Sequence, residues 1–192
     1  MTRLKSITIC LVFFLTLLSG NIFAQVLVQN DKFTYAPLFN NQVVLVREIP
    51  LNNNDIEKSF HRVKEWGKER YASSPLISNI RYDNTNKEII IKSRIELLLP
   101  ENNEKIREKV VMTYHLNTFI FNDKCVFEVK GITYKLHNVK KSVKAEEIIT
   151  PSALETAGPQ QELRVNIQRS TLFFLNELAD SLADALNAPD SL

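Results

Sequence analysis

A chain of 192 residues, 44% hydrophobic and 24% charged, is long enough to bury one sizeable core. Its 24 Lys and Arg against 22 Asp and Glu give a net charge of only +2, which excludes the basic excess of a nucleic-acid binder. Four glycines and two cysteines leave no glycine-rich phosphate loop and no disulfide framework.

The first element is a predicted secretory signal peptide, residues 1–24. Arg3 and Lys5 precede an apolar run from Ile7 to Leu18. That run is about a dozen residues, whereas about 20 are needed to cross a bilayer core. Ser19, Gly20 and Asn21 break the helix, and Ile22-Phe23-Ala24 offers a small residue at the cut, placed after Ala24. The mature chain is therefore expected to start at Gln25 and to be exported, periplasmic or extracellular, with no transmembrane segment after cleavage. Cleavage removes Arg3, Lys5 and Cys10, leaving 22 basic residues against 22 acidic ones and Cys125 as the one thiol. With no cysteine beside Gln25 the chain is not expected to be a lipoprotein.

Residues 25–136 read as an α+β domain. Asn40 to Ile49 forms a strand around Val43, Val44, Leu45 and Val46, ended by Pro50 and an Asn-rich turn. A helix over Asn54 to Tyr71 follows, with Asn54 as N-cap, Glu57 completing a capping box, and Ile56, Phe60, Val63 and Trp66 or Gly67 on one face. Strands are predicted at Ile77 to Tyr82 and Glu88 to Leu99 around the turn Asp83-Asn84-Thr85-Asn86. The second places Ile89, Ile91, Ser93, Ile95, Leu97 and Leu99 on one face. Lys105 to Phe121 and Cys125 to Leu136 complete the meander around Asn122-Asp123-Lys124. These connections are too short for parallel crossovers, so the order is antiparallel. The expected architecture is an antiparallel sheet of about five strands in the order β-α-β-β-β-β.

Residues 137–161, with Pro151, Gly158 and Pro159, lose periodicity and are read as a linker holding at most a short helical turn. In it, Lys140, Lys141 and Lys144 read as solvated and Glu146-Glu147 as solubility residues. Residues 162–188 form a long amphipathic helix in which Leu163, Ile167, Phe174, Leu178, Leu182 and Leu186 recur at helical spacing, with Pro189 beyond its end. This helix is expected to lie on the sheet beside the first one. Leu172, Phe173, Phe174 and Leu175 are consecutive and cannot share one stripe. With Leu178 and Leu182 they form a candidate contact for another envelope protein or a second copy of the chain.

Several of these features carry a family resemblance: Arg47-Glu48-Ile49-Pro50-Leu51, then Ile56, Phe60 and Lys64-Glu65-Trp66, then Thr113-Tyr114, and the aromatic-rich stretch Phe127 to Tyr134. Over about Phe33 to Leu136 the chain resembles an exported domain-of-unknown-function family, found mainly in Bacteroidetes, with a fold like that of the TATA-binding protein. Asn122-Asp123-Lys124 stands where such proteins carry a Lys-Asp-Gly-type turn. The resemblance implies the fold and brings no catalytic residue with it.

The residues themselves offer no catalytic constellation. His61, His115 and His137 belong to no metal-ligating pattern, and Cys125, between a turn and Val126-Phe127, reads as buried. Tyr114, Phe119, Phe121, Phe127 and Tyr134 concentrate on the last two strands and read as packing beneath the helices. No catalytic, metal or cofactor site is expected. The reading that remains is an exported, non-enzymatic binding or assembly module of the bacterial envelope. A small secreted hydrolase or ligand carrier, its site assembled only in the folded chain, is the alternative.

Overall fold

Alternation along the longest strands sets the sheet. In the computed structural model, which describes residues 28–52, 55–72, 79–101, 105, 107–137 and 139–189, Ile89, Ile91, Ser93, Leu97 and Leu99 are buried. Lys92, Arg94, Glu96 and Leu98 between them are exposed. The signal-peptide reading of residues 1–24 lies outside the described residues, as do Asn54 and the first residues of the strand predicted at Ile77.

The strands are β1 (Leu38–Phe39), β2 (Gln42–Pro50), β3 (Asn79–Asp83), β4 (Glu88–Glu101), β5 (Arg107–Ile120), β6 (Lys124–Lys135) and β7 (Val143–Lys144). The helices are α1 (Ile56–Ala72), α2 (Pro151–Glu155) and α3 (Gln161–Asn187). The sheet runs β1-β2-β6-β5-β4-β3, antiparallel throughout, with β7 beside β6. The expected strands are β2 to β6. The two extra ones, β1 and β7, are two residues each and too short to show a period.

Local chemistry explains the joints. At the start of α1 the Asp55 carboxylate accepts the Lys58 N–H at 3.0 Å and its carbonyl accepts that of Ser59 at 3.0 Å, so Asp55 performs the N-cap role expected of Asn54. In the β3–β4 turn the Asp83 carboxylate accepts the N–H groups of Thr85 and Asn86, each at 3.0 Å. Those bonds, Asn86's first, hold its carboxyl below the usual range. Between β5 and β6 the register shifts from Thr113↔Thr133 to His115↔Lys130, a bulge built on Gly131 at φ +63°.

Both long helices pack on one face of the sheet. Phe60, Val63 and Trp66 of α1 and Ile167, Leu175, Leu178, Leu182 and Leu186 of α3 join Leu45, Ile91, Tyr114, Phe127 and Val129 in one core. Polar pairs pin this layer. Tyr134 Oη lies 2.9 Å from Thr171 Oγ1, and the Trp66 indole donates to Ser181 Oγ at 3.0 Å. The Tyr71 and Tyr114 hydroxyls share a hydrogen bond at 3.1 Å, and burial raises both phenols above their ordinary range.

Residues 137–161 differ from the linker reading. Ala145, Ile148, Ile149, Thr150, Ala153 and Ala157 are all buried. Pro151 sits in the first turn of α2, where a missing N–H costs nothing, and Thr150 caps it by accepting the Ala153 N–H at 3.2 Å. Glu146, taken for a solubility residue, accepts the Val43 N–H at 2.7 Å and so secures the start of β2. The prolines that read as breakers are initiators, which is why periodicity was lost without order being lost.

Candidate functional site

Helical geometry turns one side of α3 outward. Arg169, Phe173 and Glu177 are spaced four apart, fall on one face and are exposed. Phe173 is 67% exposed although its neighbours Leu172 and Leu175 are buried. Opposite it, Leu98 of β4 is 50% exposed. Between them lies a groove of about 560 Å³, lined by Leu98, Phe173 and Phe174 and rimmed by Arg107, Arg169, Glu96 and Glu177. Ser170 Oγ donates to the Leu98 carbonyl at 3.4 Å, tying helix to strand along the floor. The Phe174 ring meets the Tyr114 ring edge-on, centroids 5.8 Å apart, and so anchors the groove to the core.

The predicted contact patch is thereby divided. Leu172, Leu175, Leu178 and Leu182 are core residues and present no surface to a partner. Phe174 is half-buried, and of the six residues Phe173 alone is exposed. Sequence reasoning missed Leu98, Arg107, Arg169, Glu96 and Glu177 as companions of Phe173. The four-residue spacing of Arg169 and Glu177 about Phe173 was the available signal.

The remaining candidates are scattered. His61 lies exposed on α1, His115 half-buried on β5, and His137 exposed after β6. Among the described residues no group of three or more His, Cys, Asp or Glu gathers to hold a metal. Cys125 is buried, and burial pushes its thiol up to about 12, far from the range of a nucleophile. Tyr114, Phe127 and Tyr134 are buried as packing residues, Phe119 is half-buried, and Phe121 is exposed at the β5–β6 turn. No helix of the described residues is long and apolar enough to cross a membrane.

The antiparallel sheet with both long helices on one side is the arrangement that comparison with known proteins can test. Residues 46–135 match the family described as domain of unknown function (DUF4468) with TBP-like fold. The DUF4468 match runs from within β2 to the end of β6 and stops short of α3. Two crystal structures share the fold. A TBP-like protein from Parabacteroides distasonis has a TM-score of 0.70 at 21% identity, covering 81% of this chain and 99% of that one. A DUF4468 family protein from Bacteroides ovatus has a TM-score of 0.70 at 19% identity, covering 84% of this chain and 96% of that one. No curated protein matches. The resemblance read from the sequence thus agrees with the family model over residues 46–135, and the expected α+β architecture with a TBP-like fold is borne out. At these identities the two structures speak for the fold alone, and function has to be argued from the site.

Proposed function

We propose that this protein is an exported, non-enzymatic binding module of the bacterial envelope, and that it engages its partner through the groove between α3 and β4. The exposure of Phe173 carries this reading. A phenylalanine flanked by core residues on a well-packed helix, facing an exposed leucine across a groove with charged rims, is how recognition sites concentrate apolar area. The lining offers guanidinium, carboxylate and apolar groups without histidine or cysteine, and its hydroxyl, Ser170, is already engaged with Leu98. A hydrolase would need a nucleophile and base converging there.

The test is a photo-crosslinking amino acid placed at position 173 in cells. A discrete adduct that disappears when the crosslinker is moved to exposed Glu155 is expected. A chain that emerges unmodified and monomeric at both positions would sink the proposal.

A further inference from the structure

Because both long helices cover one face, the side chains of opposite parity on β4 to β7 are left on a helix-free face, and the strand register arranges their charges. Asp83, Glu88, Phe119, Val126 and Glu48 are successive partners across β3, β4, β5, β6 and β2, so that end of the face is acidic. Toward the other end, Lys92 lies opposite His115 and His115 opposite Lys130. The next row is Arg94, Thr113, Thr133 and Lys144. With strands about 4.8 Å apart and alternate residues about 7 Å apart, four cations, an imidazole and two hydroxyls occupy a patch roughly 15 Å by 7 Å. Lys92, Arg94 and Lys144 make no ion pair among the described residues, while Lys130 is held 2.6 Å from Glu128. A net charge near zero conceals this grouping, in which Lys92, Arg94 and Lys144 stand together on one face, although Glu128 holds Lys130, Glu96 pairs with Lys109 beyond Arg94, and Lys124 pairs with Glu48 at the other end.

Four residues beyond Arg94 on the same face, about 13 Å along the strand, stands exposed Leu98; Phe173, carried by α3 on the sheet's other side, lines the same groove at the edge of β4, beyond the end of β3 pairing. That rim is charged in both signs, Arg107 and Arg169 standing beside Glu96 and Glu177, with Arg107 also paired to Glu101. A nucleic acid or acidic polysaccharide would satisfy the cations and leave both apolar side chains in water. A bilayer meets both requirements, its headgroup phosphates facing the cations and its acyl boundary receiving Leu98 and Phe173. We infer that the basic end of the helix-free face, together with Leu98 and Phe173, is a docking surface for membranes rich in anionic phospholipid. The inference rests on the binding-module reading and names what that module binds.

Sedimentation of the chain beginning at Gln25 with phosphatidylcholine vesicles, and with equimolar phosphatidylcholine and phosphatidylglycerol, tests it. Binding to the anionic vesicles alone, weakening as salt rises, is expected. Lys92→Gln, Arg94→Gln and Lys144→Gln should each lower partitioning about five-fold. Leu98→Ser and Phe173→Ser should lower it with the charge unchanged. All five positions are exposed, so the variants should keep the wild-type circular dichroism. No binding to anionic vesicles overturns the inference, as does binding indifferent to these substitutions. Duplex DNA or heparin bound with the same dependence on the three cations, and with no effect of the two serine variants, would assign the face to a soluble polyanion instead. If position 173 crosslinks to a protein in cells while vesicles bind nothing, the module reading survives and the membrane inference does not.

Discussion

The carboxamide of Asn176 holds Phe33 by both of its main-chain groups, accepting its N–H at 2.7 Å and donating to its carbonyl at 3.1 Å. The clip seats the Phe33 ring 6.2 Å from that of Phe127, inside the core. Asn176→Ala removes both bonds and leaves two part-buried backbone groups unpaired, at a cost of about 1–3 kcal/mol. Urea unfolding should show the midpoint falling with an unchanged slope. Asn176→Asp, which keeps the acceptor and turns the donor into a second negative oxygen, should recover none of the loss.

Arg47 and Asp180 form an unequal pair at 2.6 Å, with side chains 13% and 40% exposed. Removing the carboxylate strands a guanidinium that is mostly out of water, whereas removing the guanidinium leaves a carboxylate that hydrates. Asp180→Ala should therefore cost about 2–3 kcal/mol, reduced from the value for a fully buried pair because Asp180 meets solvent. Arg47→Met should stay within about 1 kcal/mol of wild type, helped by losing an Nε that has no partner among the described residues. Equal losses from the two variants in chemical denaturation would contradict this asymmetry.

Gly131 is required twice over. Its φ of +63° disfavours an L side chain, and a Cβ there would stand 3.3 Å from His115 Nδ1. Gly131→Ala should lower stability by about 1–2 kcal/mol. Combining it with His115→Ala should relieve the contact and leave the backbone part of the loss, a difference readable from a double-mutant cycle.

His115 carries a pH signature. Desolvation first, then Lys92 and Lys130, lower its pKa below 6.5 in the folded chain. The unfolded chain consequently binds a proton that the folded chain resists, and stability falls as pH drops through 6.5, levelling once the folded imidazole also titrates. Relative to wild type, His115→Gln should lose less stability between pH 7.5 and 5.5. Identical pH profiles for the two proteins would remove the assignment.

Cys125 should be silent in the native state. With its thiol pushed up to about 12 and no exposure, a disulfide reagent at pH 8 should modify it only as fast as the chain opens. The labelling rate should rise with urea in step with unfolding. Prompt stoichiometric labelling without denaturant would show that β6 is accessible at that point.

Much of the fold was legible because its signals are local. The period of two in β4 and the spacing of Ile56, Phe60 and Val63 each report one element meeting one core, and both faces are where the sequence placed them. The groove was less legible. Four consecutive apolar residues span most of a helix's circumference, so nothing within α3 tells which of them faces out. That is decided by where β4 and α1 press on it, and the answer is Phe173. Leu98 gave a weaker signal still, one apolar side chain on a wet face, whose meaning comes only from a helix 70 residues later in the chain. Glu146 was misread for the same reason, since its bond to Val43 crosses about 100 residues.

The second asparagine clip, in which Asn187 accepts the Asn52 N–H at 2.9 Å and donates to the Pro50 carbonyl at 3.1 Å, repeats at the end of α3 what Asn176 does at its middle. Helix α3 thus fastens segments that precede it by more than a hundred residues, and with α1 it covers one face of the sheet. Because Ile167, Leu175, Leu178, Leu182 and Leu186 all belong to the core, Phe33, Pro50 and Asn52 are fixed in place only once α3 has docked.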